Sequence, residues 1–287
     1  MYNAHHLING YGVHMDNQII ANMPFEEYLR QPAISCSQLK HLACCPKAFK
    51  YFVIDANEQE DTEAMQLGRA LHTLVLEPNL FAKEYVILPK VKGKGPAYKA
   101  KQQLELGSKV LWDTEHDVLV EMRKAIEAHQ YAGRFLEGTK NEASIFWKSE
   151  LETSGIDCRG RIDAIKNNGS DIVLVDIKST VDASESAFTR QIFQLKYYMQ
   201  AAYYLDGYEA ITQTRPNFFV FIAIEKKPPY LCAVYLLSAD SDAIIYGRQE
   251  YIRLLSKYKT CLDSDNWSEG YDNPCNVLLP PWLQIGE

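Results

Sequence analysis

Residues 159–165 (Arg159-Gly160-Arg161-Ile162-Asp163-Ala164-Ile165) and 172–178 (Ile172-Val173-Leu174-Val175-Asp176-Ile177-Lys178) flank the turn signal Asn167-Asn168-Gly169-Ser170. Two β-branched runs around such a turn read as an antiparallel hairpin. Side chains two apart on a strand share a face, so Asp176 and Lys178 point the same way, as do Arg161 and Asp163. If residues 168–171 form the loop, Asn167 pairs with Ile172, and the same register sets Asp163 opposite Asp176. Directly opposed residues have Cβ atoms about 4.5–5.5 Å apart. Two carboxylates there repel unless something neutralises them, and a divalent cation is the natural partner. Lys178 lies diagonally from Asp163, as a charge compensator or a catalytic cation. A solvated face of alternating charge is the other reading, and a shorter loop would shift the register by one residue.

The rest of the chain supplies a core for this hairpin. Helices are expected over residues 37–52, 62–77, 97–130, 186–205 and 241–259, and further strands over 144–149, 218–224 and 231–237. A basic, glycine-containing loop at 91–96 precedes the long polar helical stretch. Helices first, then three strands, a helix, two strands and a helix give an α/β (α+β) fold with a central mixed sheet flanked by helices.

Charge and cysteine usage limit the function classes. The 287 residues carry a net charge of −7, which rules out a uniformly basic DNA coat but not a local basic lining near His72 and the hairpin. The chain shows no basic-then-apolar leader, and its longest apolar run, residues 218–224, is far short of the ~20 residues of a membrane helix. A cytoplasmic protein with no membrane partner is expected. The seven cysteines include no CxxC and read as reduced thiols. A cluster held by Cys44 or Cys45 with Cys261 and Cys275 would match no compact iron–sulfur spacing.

Asp163 followed by Val175-Asp176-Ile177-Lys178 resembles the PD-(D/E)xK nuclease superfamily. Three further segments resemble its RecE-like (exonuclease VIII-type) branch: Gly68-Arg69-Ala70-Leu71-His72, Ile34 to Lys40 ahead of Cys45-Pro46, and Asp206-Gly207-Tyr208-Glu209. The resemblance runs over residues 34–210 and implies a restriction-endonuclease-like core. We divide a single nuclease domain of residues 1–287 into a helical extension (1–60), the core (61–240) and a C-terminal helix and tail (241–287). The resemblance implies Mg²⁺ or Mn²⁺ held by His72, Asp163, Asp176 and the Ile177 carbonyl, with Lys178 orienting or deprotonating water. It also implies a Gln-x-x-x-Tyr pair on the next helix. Gln194 with Tyr198 and Gln200 with Tyr204 both fit, on different faces of a helix so that only one pair can face the site, and we choose the second for its place before Asp206-Gly207-Tyr208.

The activity so implied is 5′→3′ digestion of linear double-stranded DNA by a ring-shaped homotetramer, bacterial or phage-encoded. The 3′ strands left would pass to a single-strand annealing protein for recombination. Ser37, Lys40, Lys47, Arg69, Arg161 and the loop lysines Lys92, Lys94 and Lys99 are candidate DNA contacts; ordinary surface charge is the other reading. The rival functions are a structure- or sequence-specific endonuclease, a RecB- or CRISPR-type nuclease with an iron–sulfur cluster, and a non-catalytic DNA-binding scaffold.

Overall fold

The hairpin forms in the expected register. In a computed structural model that describes residues 17–57, 62–149, 155–169, 171–274 and 277, Asn167 pairs with Ile172 and Ala164 with Val175. The Asn168 amide closes the turn by donating to the Asp171 carbonyl at 3.0 Å.

The chain opens with β1 (Gln18–Ile20), α1 (Phe25–Arg30), β2 (Ile34–Ser35), α2 (Cys36–Cys44) and α3 (Pro46–Phe49). Next come α4 (Glu63–Leu76), α5 (Pro78–Glu84), β3 (Tyr85–Leu88), α6 (Pro96–Leu106), β4 (Lys109–Trp112), α7 (Asp113–Ala128) and α8 (Ala132–Leu136). The hairpin region is β5 (Lys140–Ser149), β6 (Ile156–Asn167) and β7 (Ile172–Thr180). It is followed by α9 (Glu185–Gln194), α10 (Tyr197–Thr212), β8 (Phe218–Glu225), β9 (Cys232–Ser238) and α11 (Asp242–Ser264). Local caps set several starts. Ser35 and Gln38 form a reciprocal capping box on α2, and the Thr62 hydroxyl accepts from the Met65 amide on α4.

Three expected helices are divided, each for a local reason. The helix expected over 37–52 ends at Cys44, because Pro46 disfavours helical backbone at the residue before it; α3 and a wider turn over Lys50–Ile54 follow. The stretch 97–130 is broken at Gly107, whose φ of 62° ends α6, and buried Val110, Leu111 and Trp112 form β4. The helix expected over 186–205 breaks at Leu195 and Lys196, where Lys196 turns to φ 53°. Leu195 therefore sits 47% exposed at the break.

Seven strands form one mixed sheet in the order β1-β5-β6-β7-β8-β9, with β2 parallel to the near end of β6. β3 and β4 form a separate parallel pair. Alternation along β7 and β8 feeds two cores. Leu174, Phe219 and Phe221 pack with residues of α2, α10 and α11, while Val175, Ile177, Val220 and Ile222 pack with residues of α4 and α7. The edge of β6 facing β7 is shared unequally. β2 pairs with Cys158 and Arg159, β7 pairs from Ala164 onward, and residues 160–163 pair with neither. The ladder thus opens at Asp163.

Close backbone approach fixes α10 against the sheet. A Cβ added at Gly207 would lie 2.8 Å from the Trp147 ring, which is itself packed edge-on to Tyr203 at 4.7 Å. Asp206 beside it takes two Arg248 hydrogen bonds, at 2.6 and 2.7 Å, and one from Tyr251 at 2.6 Å. Gly207→Ala should therefore cost about 1–3 kcal/mol of stability, read as a lower denaturant midpoint. An unchanged midpoint would mean that α10 does not lie this close to β5.

Candidate active site

The acids meet where the β6–β7 ladder opens. One residue beyond the Ala164–Val175 pair, the Asp163 carboxylate takes the place of a ladder bond and accepts from the Ile177 amide at 2.8 Å. His72, on α4, reaches the gap from one face of the sheet. Its Nε2 is 2.7 Å from the Ile177 carbonyl and its Nδ1 is 3.2 Å from Asp163 Oδ2. From the other face, Gln200 on α10 donates from Nε2 to Asp176 Oδ1 at 2.8 Å. The Lys178 ammonium lies 2.6 Å from Asp176 Oδ2, so the buried carboxylate is held by Gln200 on one oxygen and by a cation on the other. Tyr204 is half-buried near the acids. Its ring fills the space beside Gly160, where an added Cβ would lie 2.8 Å from it.

The electrostatics follow from these neighbours. Burial alone would favour neutral His72, but the Asp163 carboxylate outweighs it, with Asp176 and Glu142 adding, and the imidazole pKa is raised to about 9. A protonated ring can donate to both the Ile177 carbonyl and Asp163. Burial likewise opposes charge on Lys178, yet Asp176 and Asp163 raise its pKa above the ordinary lysine value. For Asp163, burial is overcome by His72, Lys178 and the Ile177 amide, and its pKa is lowered. For Asp176, burial and the nearby Asp163 prevail over Lys178, and its pKa is raised.

One functional candidate escaped the sequence reading. Glu142 faces Asp163 across β5–β6, between the pairs Asn141–Ala164 and Ala143–Ile162, at the point where that ladder is also interrupted. Its φ is 50°. One ligand atom each from His72, Glu142 and Asp163 lie within 4.8 Å of one another. The strand was expected to begin at Ser144, so Glu142 fell outside it; an acid opposite Asp163 in the β5–β6 register would have been the signal.

These groups fit a divalent cation. The donors are hard carboxylate oxygens with one imidazole, and the buried Asp176 carboxylate lies beside them. His72 and the Ile177 carbonyl, both expected as ligands, are here bonded to each other, so serving together would require the ring to give up its proton and shift.

The candidate DNA contacts divide. Ser37 is exposed on the first turn of α2, and Arg69 is exposed on α4 one turn before His72. Lys92 and Lys94 are exposed in the loop after β3. The Lys40 ammonium sits 5.2 Å from the centre of the Tyr197 ring, which also lies 4.8 Å from Lys178 Nζ. Lys99 and Arg161 instead face inward. Lys99 is buried and bonded to Glu115 at 2.6 and 2.8 Å. Arg161 donates to Glu142 at 2.5 Å and to the Met23 carbonyl at 2.8 Å, because β5 and the segment before α1 cover it. Of the other pair, Tyr198 packs between Phe193 and Tyr246 at 5.3 and 5.4 Å, away from the acids. Cys44, Cys45 and Cys261 are free thiols, and Cys275 lies outside the described residues.

Residues 35–277 match the family described as a PDDEXK-like domain of unknown function (DUF3799). The chain belongs to this family. The PDDEXK assignment agrees with the mixed α/β architecture and supports a nuclease of the PD-(D/E)xK superfamily, for which divalent metals are typical cofactors. No curated protein matches the chain. Among solved structures, a candidate exonuclease from Eubacterium rectale superposes with a TM-score of 0.61 at 14% identity, over 91% of this chain and 96% of that one. That likeness shows the fold. SSO0001 (TM-score 0.31, 15% identity, 69% of this chain and 94% of that one) is too distant for argument. So is VC1899 from Vibrio cholerae (0.21, 10%, 79% and 58%). Among the described residues no helix of this PDDEXK-like chain is long and apolar enough to cross a membrane.

Proposed function

We propose that this PDDEXK-like protein is a Mg²⁺- or Mn²⁺-dependent exonuclease of linear double-stranded DNA. The observation that carries the reading is the set at the open ladder: the buried acids Asp163 and Asp176, with the Lys178 ammonium 2.6 Å from Asp176. His72, Asp163 and Asp176 would hold the cation, with Glu142 within reach. When bound, a divalent ion supplies a water of lowered pKa and neutralises charge on the scissile phosphate. Gln200 fixes the Asp176 carboxylate through its 2.8 Å hydrogen bond. Lys178, kept protonated by the two aspartates, is suited to donate to the phosphate and offset its developing charge. Its raised pKa argues against the role of base. Tyr204 supports the β6 backbone at Gly160.

The finer features rest on the RecE-like resemblance. They are 5′→3′ polarity, 3′ strands for annealing-type recombination, a ring homotetramer and a single-strand annealing partner. Ser37, Lys40, which shares the Tyr197 ring with Lys178, and Arg69, one turn before His72, are candidate phosphate contacts. The experiment is a digestion of linear duplex labelled at either end beside a covalently closed circle, with Mg²⁺ or Mn²⁺. Early loss of the 5′ label with the circle intact is expected. Cleavage of the circle would replace the exonuclease with an endonuclease.

A further inference from the structure

Residues 85–112 form a unit that the catalytic cluster does not use. β3 and β4 run parallel from Tyr85–Lys109 to Leu88–Trp112, with α6 as their crossover. The surrounding segment has its own charge. Residues 83–109 contain seven lysines and two glutamates, +5 in a chain whose net charge is −7. Three of the lysines are internally paired: Lys99 with Glu115, Lys101 with Glu105 and Lys109 with Glu84. The ammonium groups of Lys83, Lys90, Lys92 and Lys94 have no carboxylate partner among the described residues. Three of these four fall in the loop of residues 89–95, all exposed, around Gly93 and Gly95.

The unit is anchored beside the active site. Tyr85, the first residue of β3, lies against Thr73 on α4, the residue after His72, and within electrostatic reach of Arg69. The Lys109 ammonium stands 5.4 Å from the centre of the Tyr85 ring. From Tyr85 the strand extends three residues, about 10 Å at ~3.3 Å per residue. With the reach of a lysine side chain, the loop ammoniums stand roughly 15–20 Å from the catalytic end of the unit. Each strand of a duplex advances about 3.4 Å per nucleotide along the helix axis, so that span is about five nucleotides of axial length.

We infer that the loop carrying Lys90, Lys92 and Lys94 binds the DNA phosphodiester backbone away from the scissile bond, about five nucleotides of axial length beyond the end of the unit anchored on α4. The inference rests on the nuclease reading above and adds a substrate-length requirement to it. Each phosphate contact contributes about 0.9 to the slope of log affinity against log salt. The test compares wild type with a Lys90→Gln, Lys92→Gln, Lys94→Gln variant. Binding is measured by fluorescence anisotropy in EDTA over a salt series, and cleavage is followed with metal, on a 24-base-pair duplex and on a four-nucleotide substrate. The variant should lose two to three units of salt slope on the long duplex. Its KM should rise at unchanged kcat and thermal midpoint, with the short substrate unaffected. An unchanged slope on the long duplex, or an equal loss on the short substrate, would overturn the inference. If wild type digests neither substrate with any metal, the nuclease reading fails; if it digests both and the slopes agree, only the loop assignment fails.

Discussion

Asp176→Asn should reduce metal-dependent cleavage of linear duplex DNA by about 10³-fold or more while the protein stays folded. Asp176 is 3% exposed, and its two contacts are Gln200 at 2.8 Å and Lys178 at 2.6 Å. Asparagine keeps the shape and can still meet Gln200, but it removes the charge that a cation needs. Burial and Asp163 both disfavour ionised Asp176, which offsets part of the cost of leaving the Lys178 ammonium with Asp163 as its remaining counter-charge, so the loss of stability should be smaller than for Lys178→Met below. Lys178→Met should be equally inactive but less stable, because it leaves a buried carboxylate uncompensated, a loss of about 3–5 kcal/mol. Activity assays paired with denaturant melts separate the two effects. An Asp176→Asn protein that digests DNA at the wild-type rate would remove the acid from the mechanism.

The second large effect is a pH dependence centred on His72. Its folded pKa of about 9 stands above the ordinary value of 6.5. A raised pKa contributes stability that is complete below the unfolded value and is lost as pH rises through the folded one. The metal-free protein should therefore lose on the order of 3 kcal/mol between about pH 6.5 and 9, and His72→Gln should flatten that slope. Cation binding opposes the same proton. Binding should tighten from pH 7 to 9 and release about one proton per cation near pH 7.5. Calorimetry in two buffers of different ionisation enthalpy reads this number. Release of no proton would show that His72 stays protonated and does not ligate.

How much of this was legible follows from the range of each signal. The hairpin register could be read because the turn residues and two apolar strands lie within twenty residues, and the ladder from Asn167–Ile172 to Ala164–Val175 follows it. Gln200 was chosen for its place before Asp206-Gly207-Tyr208, and it reaches Asp176; helix phase could not have compared the two pairs, because the stretch breaks at Lys196. Glu142 and the inward turn of Arg161 depend on β5 lying beside β6, a pairing between strands whose common register no local pattern states. The β3–β4 unit was hidden because residues 97–106 and 113–128 are both helical and only Gly107 and the buried Val110-Leu111-Trp112 separate them. His72 became a candidate through resemblance alone, since 105 residues separate it from the Ile177 carbonyl it bonds.

The account stands on one claim, that the acids of the open ladder and Lys178 form a metal-dependent nuclease centre. The most direct measurement is release of acid-soluble nucleotides from linear duplex DNA by the wild-type protein, with Mg²⁺, with Mn²⁺ and with EDTA. Release with either metal and none in EDTA is the predicted result. Release that persists in EDTA, or none with either metal, would contradict it.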